Sequence, residues 1–335
     1  MIRHNRLLFG GILALAVCLN GCAATPAADP SAPALAEERA PIDLDAIEPS
    51  TVQGVIHITG SSTVYPVTAA AAMAFAEEGS PADVEVKSTG TGGGFRRFCT
   101  YPDEEVDVVG ASRSISEQEQ ADCIANNHEP VEFRIGVDAL AVVVNRSNDF
   151  VQSLSTAQLA QIFTGQAQTW ADVDPSWPAE PIALFSPGTD SGTFDYFVEE
   201  VLDANSDPLL AAPNALLSES DVALAQGITD NPYAIGYFGY AYYQENQDSL
   251  KLLAIDAGDG EVEATAETVA DGSYPLARPL YIYSSVQILQ ERPHVAVFIN
   301  YYLTHAEEFV TEVGYFPTPQ ETIAAAQQNL RETVN

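Results

Sequence analysis

Residues 186–197 read SPGTDSGTFDYF. Thr189, Asp190, Ser191, Gly192 and Thr193 crowd small and hydroxylated groups together, and an apolar run follows directly. In that run Phe194, Phe197, Val198 and Val201 recur at spacings of three and four, which predicts a helix. The residues before it, PIALFSPG, read as a strand. The unit is therefore a strand, a polar turn and a helix. Two readings of the turn are open. Asp, Ser and Thr accept hydrogen bonds from the first free N–H groups of a helix, so the turn can be a cap. A helix N-terminus also carries unpaired donors and partial positive charge, so the turn can hold an anion.

The same arrangement occurs three more times. VQGVIHITG alternates apolar residues and runs into Gly60-Ser61-Ser62-Thr63 ahead of an Ala-rich helical stretch. DVEVKSTG runs into Thr91-Gly92-Gly93-Gly94, with a helix expected over TGGGFRRFC. VDVVGASR ends at Gly110-Ala111-Ser112-Arg113-Ser114, and ISEQEQADCIANN after it is helical. FRIGVDALAVVVN holds a buried strand, STAQLAQIFTG a helix, residues 195–227 helical material, and AIGYFGY a strand. Alternating strands and helices predict an α/β protein with mainly parallel sheets. In such sheets ligands bind at the carboxyl ends of strands. Four hydroxyl- and glycine-rich loops at four such ends point to one small, oxygen-rich anion. TGTGGGF lacks the Lys-Ser/Thr of a P-loop and the spacing of a dinucleotide fingerprint. No internal repeat of short period is present.

The chain has 335 residues, 46% hydrophobic and 18% charged, enough for two ordinary domains with a core. Its 13 basic and 47 acidic residues give a net charge of −34. That excludes a nucleic-acid binder, whose affinity rests on Lys and Arg. It also means that any anion site must be local. MIRHNR followed by LLFGGILALAVCLNGC reads as an export signal over residues 1–21, ending in a lipobox-like Leu19-Asn20-Gly21-Cys22. Cys22 is the lipidation candidate; an ordinary signal with an incidental cysteine is the alternative. Cleavage there removes Arg3 and Arg6 and no acid, taking the charge from −34 to −36. Residues 22–51, rich in Ala, Pro and acids, read as a flexible tether. Cys99 and Cys123 remain in the exported part and are expected to form a disulfide in an oxidising compartment. No metal site is expected, since His128 alone lies near them.

GSSTVYPVT, STGTGGGFRRFC, VVGASRSIS, PGTDSGTFDYF and NPYAIGYFGYAYY, in this order, resemble the periplasmic phosphate-binding proteins of the Pst ABC transporter (PstS family), and more narrowly their SphX-like branch. The IFTG of LAQIFTGQAQTW fits as well, so the resemblance spans roughly residues 54–320. It implies a two-lobed periplasmic-binding-protein (type II) fold with two hinge crossovers. DALAVVVN and ARPLYIYSS are the candidate hinge strands, crossing near 138–146 and 274–282. Lobe 1 is then 52–140 plus 280–330, and lobe 2 is 141–279. The implied function is high-affinity binding of inorganic phosphate outside the cytoplasm, in the cleft between the lobes. A lipid-anchored monomer with no cofactor would deliver it to ABC permease subunits.

Carried over by motif, the ligand-binding residues are Ser61, Ser62 and Thr63, then Thr91, Gly92 and Gly93, then Ser191, Gly192 and Thr193. Two positions depart from the better-known branch. Arg113 follows Ala111-Ser112 where that branch has an Asp, and Pro187 stands where it has an Arg. Ser112 and Arg113 are therefore expected at the ligand, Arg113 as a relocated cation. Its planar fork suits an oxyanion. Phosphate near neutral pH keeps a proton that sulfate lacks, and a carboxylate that accepts this proton discriminates between them. Asp190 is the candidate acceptor, with helix capping as its other reading. Alternatives are a receptor for sulfate or molybdate, or a surface-anchored adhesion or sensory protein that keeps the fold. An enzyme is not expected: GTDSG is not GxSxG, and the five histidines show no catalytic pattern.

Overall fold

The computed structural model describes residues 42–100, 105–189 and 191–335. The expected export signal, Cys22, most of the expected tether and Asp190 lie outside these residues. The strands are Val55–Gly60 (β1), Asp83–Ser88 (β2), Val108–Ala111 (β3), Pro130–Asn145 (β4), Ser153–Ser155 (β5), Ala183–Pro187 (β6), Ala215–Ser218 (β7), Ala234–Gly239 (β8), Leu250–Leu252 (β9), Ala254–Asp256 (β10), Glu261–Val262 (β11), Ala277–Ser285 (β12) and Phe316–Pro317 (β13). The main sheet runs in the order β2-β1-β3-β12-β4-β8-β6-β7, with β13 and β9 also paired to β4. β1 pairs in parallel with β2 and β3, and β6 in parallel with β7 and β8. Between these two parallel flanks run the antiparallel β12 and β4. A small second sheet joins β11, β10 and β5.

This is a mixed α/β, two-lobed fold, and β4 shows how one strand serves both lobes. It is 16 residues long. Its first part pairs with β12, and Leu140 to Asn145 pair with β8 and β9. From Ile135 onward every residue is buried. Val142 and Val144 enter one core with Trp170, Phe163 and Phe197, while Ala141 and Val143 enter another with Leu224, Ile228 and Phe238. Helical cover on both faces is why the sequence reads as an unbroken apolar run. A third core surrounds Ile56, Ile58, Phe75, Phe133 and Phe298.

Residues 195–227 are not wholly helical. They contain the helix Gly192–Val201, a short helix Asp207–Ala211, the strand β7 and the start of the helix Asp221–Asp230. Pro213 precedes β7, and Leu216 at its centre is 49% exposed. An edge strand of four residues with an exposed centre carries little period-2 signal, so the helical spacing on either side masked it.

Glycines close the sheet's carboxyl end. A Cβ on Gly60, whose φ is +135°, would lie 2.0 Å from the Gly110 carbonyl oxygen, and one on Gly94 would lie 2.8 Å from the Gly60 Cα. The end of β1, the end of β3 and the helix Thr91–Thr100 (α2) therefore pack backbone against backbone. Cys99 of α2 is bonded to Cys123 of the helix Glu117–Ala125 (α3), so the two helices behind the second and third loops are covalently joined.

At the other end of β3, Asp107 is fully buried. Its carboxylate accepts from the His57 N–H at 2.9 Å and from the Arg292 guanidinium, and its carbonyl accepts from Ser284 Oγ at 2.9 Å. Arg292 also donates to the Val55 carbonyl at 2.9 Å. This knot ties β1, β3 and β12 to the turn before the helix Pro293–Thr304.

Candidate functional site

A polar cavity of about 210 Å³ opens at the carboxyl ends of β1, β2 and β3. Its described lining is Ser61, Ser62 and Thr63 from the first loop, Gly90, Thr91 and Gly92 from the second, and Ser112 and Arg113 from the third. Asp195 and Glu199 come from the helix Gly192–Val201, and Arg278 from β12. Seven of the residues expected from sequence therefore share one cavity. Gly93 is not among the lining residues; a Cβ there would face Thr89 and Arg97. Ser191 and Thr193 are not either. Ser191 Oγ accepts from the Thr193 N–H at 3.2 Å and caps its helix, the first of the two readings of the opening stretch. Gly192 stands beside the cavity, against Thr63. Asp190 lies outside the described residues.

The loops are bound to one another. Thr91 Oγ1 accepts from the Ser112 N–H at 3.2 Å and lies 3.2 Å from Ser112 Oγ. Ser61 Oγ accepts from the Thr63 N–H at 3.2 Å, with both residues buried. Tyr281 and Tyr283 of β12 hold the third loop: Ser114 Oγ donates to the Tyr281 hydroxyl at 3.3 Å, and the Ile115 N–H to the Tyr283 hydroxyl at 3.1 Å. Two helices begin at this cavity, Tyr65–Glu77 (α1) and α2, and Gly192–Val201 reaches it through Asp195 and Glu199. No side chain caps α1. Helix N-termini of this kind present partial positive charge to an anion.

Among the lining residues Arg113 and Arg278 balance Asp195 and Glu199, while Glu119 and Asp138 behind the arginines make the wider neighbourhood acidic. Arg113 donates to both carboxylate oxygens of Glu119, at 2.8 and 2.9 Å, so its fork is engaged within its own lobe. The Glu119 hydrogen bond holds the Arg113 guanidinium above its ordinary range. Burial pushes the Glu119 carboxyl up, but bonds from Arg113 and Ser116 outweigh this and hold it down. Asp195 and Glu199, four apart on one helical face, add two acidic groups. Ser62 Oγ donates to Asp195 Oδ2 at 3.4 Å.

Arg278 was not expected here. It lies directly opposite Asp138 in the β12–β4 register. Its Nε and Nη2 donate to Asp138 Oδ2 at 3.2 and 3.1 Å. Nη2 also donates to Thr63 Oγ1 at 2.5 Å and to the Gly192 carbonyl at 3.0 Å. The guanidinium carbon sits 3.9 Å over the Tyr196 ring. Burial pushes the Asp138 carboxyl up, against the pull of Arg278. The sequence did hold a signal: Asp138 and Arg278 are opposite charges set in the two apolar candidate hinge strands. Charged residues almost never enter a core unpaired. The signal for Asp195 and Glu199 was their spacing on a helix that starts in the anion loop. Tyr237, behind the helix Gly192–Val201, serves packing: it is buried, stacks on Phe197 at 3.9 Å and bonds Ser186 Oγ at 2.8 Å.

Two parallel flanks joined by shared antiparallel strands, with a small polar cavity at the strand ends, define the two-lobed binding-protein class. The comparisons agree. Residues 45–306 match the model of the PBP superfamily domain, and the chain belongs to that superfamily. It is 40% identical over 285 residues to Protein SphX of Synechocystis sp., covering 84% of this chain and 83% of that one. It is 34% identical over 283 residues to Phosphate-binding protein PstS of Staphylococcus saprophyticus, covering 84% and 86%. A crystal structure described as a possible phosphate binding protein from Planctomyces limnophilus superposes with a TM-score of 0.78 at 39% identity, covering 85% of this chain and all of that one.

Proposed function

We propose that this chain binds inorganic phosphate outside the cytoplasm, in the cavity between its lobes, and delivers it to the permease of an ABC transporter. One observation carries the reading. Hydroxyls of Ser61, Ser62, Thr63, Thr91 and Ser112 and the starts of α1 and α2 meet in one cavity whose lining charges balance. Such a site holds an anion by directed donors rather than by bulk attraction, as a chain of charge −34 requires. The named relatives support phosphate as the anion. The lobes are taken as 52–140 plus 280–330 and 141–279, closing about β4 and β12. The sequence alone supports export and lipid anchoring at Cys22. Binding without catalysis is part of the same reading. No histidine stands among the described lining residues to serve as a base for Ser62.

Calorimetric titration of the protein starting after Cys22, with phosphate, sulfate and molybdate at pH 6 and 8.5, tests this. Tight binding of phosphate alone is expected. Equal competition by sulfate would make it a general oxyanion receptor, and no binding would leave a surface protein that keeps the fold.

Asp195 is proposed as the acceptor of the ligand's proton. Its carboxylate faces the cavity and repels an oxyanion that has no proton to offer. Asp195→Asn is expected to weaken phosphate and admit sulfate, narrowing their affinity ratio by about tenfold, since an unmatched polar group costs about 1–3 kcal/mol. Competition titration reads this ratio. An unchanged ratio in Asp195→Asn, with a narrowed one in Asp190→Asn, would return the role to Asp190.

A further inference from the structure

We infer that Arg278 is the cation that holds the anion, and that with Asp138 it latches the two lobes around it. The inference rests on the phosphate reading of the cavity.

Pairing and burial, not the number of spare protons, single out Arg278. An arginine presents five N–H protons and accepts none. Arg113 also keeps two protons, but both carboxylate oxygens of Glu119 pair with it, Nη1 donates to the Ser114 carbonyl, and its side chain is 41% exposed. The Arg278 side chain is 7% exposed and lines the same cavity. Its Nε and Nη2 serve Asp138, Thr63 and Gly192, while Nη1 makes no hydrogen bond with the described residues. That nitrogen has two protons to offer a ligand. The partner charge is also incompletely spent. Both bonds from Arg278 fall on Asp138 Oδ2, and the buried Asp138 Oδ1 has no partner among the described residues. A carboxylate held through one oxygen neutralises the guanidinium less fully than a two-oxygen fork, leaving positive charge for an anion.

The latch follows from where the partners sit. Thr63 belongs to the loop after β1, and Gly192 and Tyr196 to the helix after β6. Arg278 and Asp138 sit on the strands that run between those flanks. Separating the lobes takes Thr63 and Gly192 away from one another and breaks at least one bond to Nη2. An anion on Nη1 would hold the guanidinium where these bonds form, so binding and closure would favour each other.

The test uses Asp138→Asn/Arg278→Gln, which removes both charges and leaves no buried ion unpaired. Arg278→Lys keeps the charge and removes the fork. Phosphate affinity is measured by calorimetry, and lobe closure by the change in radius of gyration on adding phosphate, with thermal melts as the check on folding. Loss of a charge-assisted bond weakens affinity by roughly 10- to 100-fold. The double variant is expected to lose affinity toward the upper end of that range, together with the phosphate-induced contraction. Arg278→Lys is expected to lose about tenfold, and Arg113→Gln less than either. Wild-type affinity in the double variant, or a greater loss in Arg113→Gln than in Arg278→Lys, would overturn the inference while leaving the phosphate reading intact. No phosphate binding by the unsubstituted protein would overturn both.

Discussion

Gly192→Val is expected to weaken phosphate binding by about a hundredfold or more, and Gly192→Ala by about tenfold, without lowering the melting temperature of the ligand-free protein. A Cβ on Gly192 would lie 2.9 Å from Thr63 Oγ1 and 3.2 Å from the Thr63 Cα and N. Thr63 is 2% exposed and tied to Ser61 and Arg278, so it has little room to retreat. Forcing extra carbons into packed contact costs about 1–3 kcal/mol, and tenfold in affinity is about 1.4 kcal/mol. The contact joins the first loop to the helix after β6, so the penalty falls on the closed state. A penalty on the binding-competent state alone appears in full in the apparent affinity. In the open state the change acts on the first residue of a helix, where alanine loses less backbone freedom on folding than glycine. Affinity and stability should therefore move in opposite directions for alanine. Calorimetry and thermal melts on the glycine, alanine and valine series check this. Equal loss of both would mean that Gly192 serves folding rather than closure.

Arg292→Ala is expected to destabilise the fold by about 3 kcal/mol, because breaking a buried ion pair leaves an uncompensated charge. The charge is that of Asp107, with no exposed surface and bonds reaching β1 and β12. Burial already pushes its carboxyl up, against the pull of the His57 N–H and Arg292. A carboxyl raised in the folded state favours folding when protonated and loses that contribution as pH rises through its folded value. Removing Arg292 raises it further. The deficit of the variant should thus be full at neutral pH and shrink as pH falls toward the carboxylate range. Denaturant melts of the protein and the variant at pH 7.5 and 5 read this. Asp107→Asn/Arg292→Ala should recover part of the loss, since no charge is then stranded. A deficit independent of pH would place the cost in lost packing of the arginine stem instead.

Phosphate affinity should respond little to Arg292→Ala, because the Asp107 knot lies at the opposite end of β3 from Ser112 and Arg113. The two predictions therefore separate: the Gly192 series should act on ligand affinity, and Arg292→Ala on the stability of the structure around β1.

Much of this molecule was legible in the chain. The alternation of strand and helix, and the hydroxyl and glycine loops at the ends of β1, β2 and β3, follow from short-range periodicity and from residue types that suit exposed turns. The pairing of Cys99 with Cys123 followed from their being the two cysteines after Cys22. Asp138 and Arg278 stand out as charges in apolar strands, but their pairing was not legible, because they are 140 residues apart and meet only through the register of β12 on β4. The turning of Asp195 and Glu199 into the cavity was not legible either, since helical spacing gives a face but not what it faces. Arg113 and Glu119 lie six apart, yet their pairing depends on the path of the loop between β3 and α3. The sequence by itself thus determined the class of fold and the donors offered to an anion, because each rests on neighbours within a few residues. Only the tertiary structure decided that Arg113 pairs with Glu119, that Arg278 pairs with Asp138, and that Asp195 lines the cavity. Charges are assigned partners by strand register and lobe contact, and neither is written in any local pattern.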